Sequence, residues 1–308
     1  MRLTRRQTMF GLAAVAGLGP IRAVAGNQTR LTGRAFGTGW SVAATAIPDP
    51  GETARWIEAA LGLIDAEMSP FRPDSALSRF NAGAVETVVS ADFQRVVQAA
   101  LAVAKASGGA FDPTVGPAVN RYGFGPIRGS LRPGGWRDIR CEGQRLSARA
   151  PVTLDLCGIA KGFAVDALTT ILARQSDRFI IEIGGEIRAR GDWPVGIADP
   201  IRGGIHSRLR LADAALATSG DGVNGYDLAG RRWSHVIDPA TGQPVRGGIA
   251  SVSVIARDAM SADALATAAL VMGEARGMDF VTAQGAEAMF LIREGGGLRR
   301  AASPGFGA

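Results

Sequence analysis

Apolar residues recur with two different periods along this chain, and glycines separate the segments. Apolar spacing typical of helices occurs in five places. These are residues 52–68, the stretch between Ser90 and the Gly108-Gly109 pair, the residues after Gly158, the residues after Ser261 and a short stretch around Met278. Runs typical of strands cover 34–47, 179–183, 186–189, 214–218, 232–237, 250–255 and 288–292. Because these helices and strands do not alternate strictly, the pattern favours an α+β fold over a doubly wound parallel sheet.

The composition supports a large folded core. Of the 308 residues, 46% are hydrophobic and 20% are charged, and 42 are glycines that follow no repeat. Such a profile excludes a disordered, collagen-like or disulfide-scaffold chain. The length predicts one large domain or two closely packed ones.

The first 25 residues have the three parts of an export signal. Arg5 and Arg6 precede an uncharged stretch from Met9 to Ile21, and a small-residue cleavage site follows at Ala23-Val24-Ala25. The apolar stretch has 13 residues, fewer than the roughly 20 needed to cross a bilayer. Adjacent arginines predict the twin-arginine route, so we expect residues 1–25 to be removed and the mature protein to be periplasmic. An uncleaved N-terminal anchor is the alternative.

The net charge of the mature chain argues against nucleic acid as a partner. The formal charge of +6 includes four arginines of the export signal, so their removal leaves +2. No basic stripe occurs beyond that segment, whereas nucleic-acid-binding domains carry one.

The C-terminal end and the two cysteines complete the domain prediction. Residues 295–308 are rich in Gly, Ser and Pro and are predicted to form a flexible tail, which leaves 26–294 as the folded domain. Cys141 and Cys157 could pair in an oxidising compartment, but sequence cannot place them within bridging distance. We expect two free thiols.

Asp263 and Thr267 lie four residues apart in a predicted helix, on an otherwise small and apolar face. This spacing places both oxygens on one side of the helix, where they could bind Mg²⁺ that keeps its other positions for water and phosphate. A structural interpretation is also open, in which Asp263 interacts with the helix dipole and Thr267 bonds a backbone carbonyl.

Lys161 follows a glycine turn between a predicted strand and a helix. The Gly158 turn would expose backbone N–H groups to an anion, and Lys161, one of only two lysines, would add a positive charge. The spacing is not that of a P-loop. A packing glycine beside a solvated lysine is the alternative.

His235 lies in an apolar segment just before Asp238-Pro239, whereas His206, the other histidine, lies among arginines. An imidazole at position 235 could act as a base near neutral pH, although a structural histidine is the commoner case. There is no zinc-type His/Cys cluster and no Gly-x-Ser-x-Gly motif, so zinc hydrolases and serine esterases are excluded.

Eight segments in order resemble one family. They are FGTGW (36–40), PDSALSRFN (73–81), FDPTVGP (111–117), GIAKG (158–162), IGGE (183–186), ATSGD (217–221), SHVIDPATG (234–242) and AMSADALAT (259–267). The chain resembles ApbE-type FAD:protein FMN transferases from about Gly33 to Ile292. The resemblance implies largely antiparallel sheets packed with helices, in two intimately associated subdomains with the active site in the cleft between them.

The resemblance also implies site residues. Asp263, Thr267 and the carbonyl of Ala160 would hold Mg²⁺ against the pyrophosphate of FAD, which is a substrate, and Lys161 and Gly158 would assist the same anion. His235 would deprotonate a Ser or Thr hydroxyl of the acceptor protein. The flavin would be bound by residues from several of the segments, namely Phe36, Gly37, Thr38, Phe71, Asp112, Glu182, Ser234 and Asp238. The chain departs from the family pattern at Phe36, Phe71, Cys157, Glu186 and Gly222. Cys157 is either a small filler or a reactive thiol.

Three functions remain open from sequence. The first is transfer of FMN to a partner's Ser or Thr, the second is hydrolysis of FAD to FMN and AMP, and the third is flavin binding without chemistry. The expected acceptor is a redox subunit of a membrane-bound electron-transfer complex of the Rnf, Nqr or nitrous-oxide-reductase-maturation type. The chain itself does not distinguish these acceptors.

Overall fold

The computed structural model describes residues 28–84, 86–222, 224–228 and 231–307. The predicted export signal, residues 1–25, lies outside these ranges. The helices are α1 (Pro50–Met68), α2 (Ala76–Asn81), α3 (Ala91–Ala106), α4 (Gly116–Arg121), α5 (Ala160–Leu172), α6 (Ala259–Met272) and α7 (Glu274–Ala283), with a 3₁₀ turn at Gly135–Asp138.

The strands fall into one large sheet and several small ones. The large sheet contains β1 (Thr29–Ala35), β2 (Thr38–Ala44), β6 (Phe179–Ile183), β7 (Glu186–Arg190), β10 (Ala215–Gly220), β15 (Ile249–Ala256), β16 (Glu287–Glu294) and β17 (Gly297–Ala302). The small sheets contain β3 (Glu86–Val88), β4 (Ile139–Glu142), β5 (Arg145–Ala148), β8 (Asp192–Ala198), β9 (Ile205–Ala212), β11 (Gly225–Leu228), β12 (Arg231–Ser234), β13 (Ile237–Asp238) and β14 (Gln243–Pro244).

The large sheet has the order β1-β2-β6-β7-β10-β15-β16-β17, and every neighbouring pair is antiparallel. Helices α1, α5 and α6 pack on one face, where they share the main hydrophobic core with the sheet. The β8–β9 hairpin covers the other face and forms a second, smaller core. The predicted α+β class with largely antiparallel sheets is confirmed.

Capping residues explain where the helices begin. Ser90 accepts a hydrogen bond from the Phe93 N–H at 3.0 Å and caps α3, as the sequence predicts. Asp49 and Asp258 cap α1 and α6 in the same way. A side-chain oxygen that satisfies a free N–H of the first turn stabilises a helix start by about 1 kcal/mol.

The prediction that residues 295–308 form a flexible tail is wrong. Residues Gly297–Ala302 form β17, which pairs with β16 along six positions. Gly295 and Gly296 both have positive φ, at 57° and 80°, and therefore form a tight hairpin turn that glycine permits. Phe306 is only 6% exposed and belongs to the second core. The glycines of this segment build a turn rather than a disordered end.

Both cysteines are free, as expected, with Cys141 buried and Cys157 exposed. No helix within the described ranges is long and apolar enough to cross a membrane.

Candidate active site

A glycine and two carboxylates hold α5 and α6 against each other. A Cβ on Gly162 would lie 2.2 Å from the carbonyl oxygen of Ala259, so only glycine permits this approach. The Gly162 N–H donates to Oδ2 of Asp263 at 3.1 Å. Asp166 accepts from the N–H groups of Ala259 and Met260 at 3.0 and 2.9 Å. The N-terminus of α5 and the first turns of α6 therefore form one fixed junction.

Asp263 and Thr267 lie one turn apart on α6 at this junction. Asp263 is 3% exposed, and burial raises the pKa of its carboxyl group. The Thr267 hydroxyl is hydrogen-bonded to Oγ of Ser219 at 3.0 Å. A Cβ on Gly158 would lie 3.4 Å from Oγ1 of Thr267, so the backbone of the turn before α5 passes directly beside that hydroxyl.

Lys161 supplies positive charge to the site. Its ammonium group pairs with the carboxylate of Glu186, which is 2% exposed. Burial alone would lower the pKa of Lys161, but the carboxylates of Glu186 and Asp263 raise it above its usual value, so the lysine is charged. Burial raises the pKa of Glu186, and its Oε2 has no hydrogen-bond partner within the described part of the chain. A cation bound beside these two carboxyl groups would favour their ionised forms.

The start of α5 fits an anion only together with a cation. The N-cap residue of this helix, Ile159, provides no side-chain hydrogen bond, and a helix N-terminus beside a lysine favours phosphate. However, the Asp263 carboxylate already accepts the hydrogen bond of the Gly162 N–H, so a phosphate bound there would lie beside another negative group. The oxygens of Asp263 and Thr267 are of the hard type that Mg²⁺ prefers, and this donor set fits a small divalent cation between carboxylate and phosphate.

Such a cation would have few protein ligands. Among the residues that the structure describes, no group of three or more His, Cys, Asp or Glu side chains is placed to hold a metal. A cation here would therefore depend on Asp263, a hydroxyl, a carbonyl and the phosphates of the ligand, which matches the preference of Mg²⁺ for partial protein coordination.

His235 follows β12, and one backbone carbonyl fixes its tautomer. The ring Nδ1 lies 2.8 Å from the carbonyl oxygen of Asn224, and the backbone N–H of His235 donates to the same oxygen at 3.2 Å. Since a carbonyl only accepts, Nδ1 carries the proton and Nε2 is the basic nitrogen. Burial lowers the pKa of His235, and the positive charge of Lys161 lowers it further. The imidazole is therefore neutral near pH 7 and can accept a proton.

A second group of candidates lies around the β1–β2 turn. Phe36 and Gly37 form this turn with positive φ, at 52° and 75°, which is the geometry of a two-residue hairpin. The Thr38 side chain lies against Gly184. Glu182 accepts from the Gly185 N–H at 2.9 Å, and burial raises its pKa while Lys161 opposes the shift. Glu182 therefore lies within electrostatic range of Lys161.

Three other candidates brace their own loops. Asp112, 5% exposed, accepts from the N–H and hydroxyl of Thr114 at 2.8 and 2.6 Å. Asp238 accepts from the Ala240 N–H at 2.9 Å and from the Thr241 hydroxyl at 3.1 Å. Ser234 is buried and accepts from the Val236 N–H at 3.0 Å.

A fourth candidate, Phe71, lies on the loop after α1 with 63% of its surface exposed. Flavin contacts by these four residues stay predictions.

A family comparison decides the relationship of the chain. The family model described as "ApbE family" matches residues 36–290. The chain belongs to the ApbE family. A Vibrio cholerae protein named FAD:protein FMN transferase is 34% identical over 91% of this chain and 92% of its own length. A Haemophilus influenzae protein of the same name is 35% identical over 83% and 82%.

Solved structures of ApbE proteins share the fold. The flavin transferase ApbE from Vibrio cholerae superposes with a TM-score of 0.81 at 33% identity, covering 91% of this chain and 98% of its own. The ApbE protein from Thermotoga maritima superposes equally well, with a TM-score of 0.81 at 28% identity and the same coverage.

In this ApbE chain, sequence reasoning missed three residues that shape the site. They are Ser219, which bonds Thr267; Glu186, which pairs with Lys161; and Asn224, whose carbonyl orients His235. Ser219 and Glu186 both lie beside glycines in segments that resemble the family, and this position was the sequence signal that could have indicated them. Asn224 acts through its backbone carbonyl, which gives no side-chain signal.

Proposed function

We propose that this chain transfers FMN from FAD to a Ser or Thr hydroxyl of a partner redox protein and releases AMP. The observation that carries the proposal is the junction of α5 and α6, where Asp263, Thr267, Lys161 and Gly158 meet. His235 lies within electrostatic range of the same lysine. A cation site, an anion site and a neutral base are therefore neighbours, as phosphoryl transfer requires.

We assign the cation position to Asp263, Thr267 and the backbone carbonyl of Ala160. A Mg²⁺ ion bound there would neutralise charge on the pyrophosphate and on the departing AMP. Lys161 and the turn at Gly158 would bind the same phosphates. The pair with Glu186 holds the ammonium group of Lys161 in position for this contact.

His235 provides the base. Its Nε2 takes the proton of the acceptor hydroxyl, and the hydroxyl oxygen forms a bond to the FMN-side phosphorus. The bond from that phosphorus to the bridging oxygen breaks, and AMP leaves with this oxygen. The product is FMN attached to the acceptor through a phosphoester bond. A base of this kind contributes about 10²–10⁴ to the rate.

The flavin half of FAD would extend toward the β1–β2 turn. Glu182 lies there within electrostatic range of Lys161, Thr38 lies against Gly184, and the half-buried Phe36 packs at the edge of the main core. The roles of Gly37, Phe71, Asp112, Ser234 and Asp238 belong to this proposal on the strength of the family resemblance alone.

We further propose that export by the twin-arginine route brings the protein to the periplasm. A membrane-bound redox complex of the Rnf, Nqr or nitrous-oxide-reductase-maturation type would there present its acceptor subunit. The predicted signal at 1–25 supports this placement.

Intact mass spectrometry tests the activity and separates the alternatives. The mature chain is incubated with FAD, Mg²⁺ and a candidate acceptor subunit, and AMP release is followed in parallel. A gain of one FMN on the acceptor, lost when its target Ser or Thr is replaced by Ala, supports the transferase. AMP release without a gain in mass would instead indicate FAD hydrolysis, and neither change would indicate a flavin binder.

A further inference from the structure

Four aromatic side chains form a stacked cluster that reaches His235. Tyr122 and Phe124 follow α4, and Tyr226 and Trp233 lie on the β11–β12 hairpin. Ring centroids are 5.3 Å apart for Phe124 and Tyr226, 5.7 Å for Tyr122 and Trp233, and 6.2 Å for Tyr226 and Trp233. Phe124 also meets the His235 ring edge-on at 6.1 Å. We call these four residues the aromatic platform.

The aromatic platform lies at the surface rather than in a core. Its residues belong to neither of the two hydrophobic cores formed by the described residues. Tyr226 is 37% exposed, and Leu228 on the same strand is 60% exposed. The charged pair at its edge, Arg232 and Asp227, is internally neutralised. Exposed aromatic residues without net charge are typical of surfaces that bind protein segments.

The reaction requires an acceptor chain at this place. A hydroxyl that gives its proton to Nε2 of His235 must come within about 3 Å of it. The residues on either side of the acceptor Ser or Thr follow at spacings of about 3.8 Å between Cα atoms. Those flanking residues therefore lie within reach of Phe124, which is 6.1 Å from the His235 ring, and of the rings stacked on it.

We propose that the aromatic platform is the docking surface for the acceptor protein, and that it binds the extended, uncharged segment flanking the target Ser or Thr. The inference rests on the proposed function. The platform is continuous with His235, so a segment bound on it delivers its hydroxyl to the base. The flavin is expected near the β1–β2 turn and does not need these rings.

Steady-state kinetics of Tyr226→Ala test the docking surface. We expect the KM for the acceptor protein to rise about tenfold, as for an aromatic interface residue. The dissociation constant of FAD, measured by flavin fluorescence, and the kcat at saturating acceptor should change less than about twofold. Tyr226→Phe should retain the wild-type KM, and Trp56→Ala, which removes a 42% exposed aromatic residue on α1, is the matched control.

Photo-crosslinking gives a second measurement that does not depend on the stability of the alanine variant. A photoreactive phenylalanine analogue at position 226 should crosslink to acceptor residues next to the target hydroxyl, and the analogue at position 56 should not. An unchanged acceptor KM together with no crosslink would overturn the docking surface, and so would a weakened FAD affinity with an unchanged acceptor KM, which would assign the rings to the flavin. A wild-type chain that transfers no FMN would overturn the proposed function itself, and the docking surface with it.

Discussion

At the scale of single residues, one carbonyl oxygen decides what His235 can do. The Asn224 carbonyl accepts a hydrogen bond from the Nδ1–H group, which leaves Nε2 as the nitrogen that can accept a proton. Burial and Lys161 lower the pKa of the ring below its ordinary 6.5. The same residue would be half charged near pH 6.5 in water, so the site widens the pH range over which the imidazole is neutral.

Replacing His235 by Gln should reduce FMN transfer by about 10²–10⁴, because the base is lost. In the wild type, the rate should fall as protons occupy Nε2, at a lower pH than for an ordinary imidazole, since the pKa of the ring is lowered. The variant's residual rate should lack this fall. Rates of FMN incorporation between pH 5 and 8 check both statements, and His206→Gln is the matched control. A His235→Gln enzyme within threefold of wild type would show that the base lies elsewhere.

Local spacing made several residues of the candidate site recognisable. Asp263 and Thr267 are one helical turn apart, and Lys161 follows its glycine turn directly, so the sequence displays each group by itself. Contacts between residues that are far apart in the sequence could not be predicted in this way. Glu186 meets Lys161 from 25 positions away because α5 packs on β7, and Ser219 meets Thr267 from 48 positions away because α6 packs on β10. No local pattern encodes that neighbourhood.

At the scale of elements, the α5–α6 junction is the feature on which the site depends. Gly162 allows the two helices to approach, and its N–H holds the Asp263 carboxylate. A wider separation would remove this hydrogen bond and move the carboxylate relative to Gly158. The geometry of the proposed cation position is thus set by helix packing.

The Gly162→Ala substitution should destabilise the fold by about 3 kcal/mol, because its Cβ would lie 2.2 Å from the Ala259 carbonyl oxygen. Gly62 is the matched control, since it is exposed on α1 and a Cβ added there would meet no atom within 4 Å. Gly62→Ala should stabilise by about 0.5–1 kcal/mol through helix propensity. Urea unfolding of both variants measures the difference. Equal free energies of unfolding would mean that the junction is not tightly packed.

Most elements of the main core could be predicted, whereas the covering hairpin was missed. Strand β6 has apolar residues at successive positions because both of its faces are buried, Ile181 toward the helices and Ile180 toward β8–β9. Strand β8 alternates Trp193, Val195 and Ile197 with outward residues, which was a usable signal. The partner of a short alternating strand depends on tertiary packing, which the sequence does not display.

At the scale of the whole molecule, one sheet separates two cores. The helix side carries the candidate site, and the other side is closed by β8–β9 and the C-terminal segment. The main core contains residues from Trp40 to Phe290, so any two subdomains of this chain have that core in common. The C-terminal segment therefore contributes to stability at a distance from the chemistry.

Phe306→Ala should lower the free energy of unfolding by about 3 kcal/mol, since the ring is 6% exposed in the second core. Phe71→Ala, at a ring that is 63% exposed, should change it by less than about 0.5 kcal/mol. Thermal or urea unfolding without ligand checks the pair. A Phe306 variant as stable as wild type would restore the prediction of a flexible tail.

The most direct test of the account is FMN transfer by Asp263→Asn across a Mg²⁺ titration, followed by intact mass of the acceptor. Asparagine keeps the volume of the side chain and removes the charge that the cation needs. We predict a loss of about a hundredfold or more at low Mg²⁺, with a shift to higher Mg²⁺ requirement, while Asp279→Asn on the exposed face of α7 behaves as wild type. Transfer by Asp263→Asn at the wild-type rate and with the wild-type Mg²⁺ dependence would contradict the account.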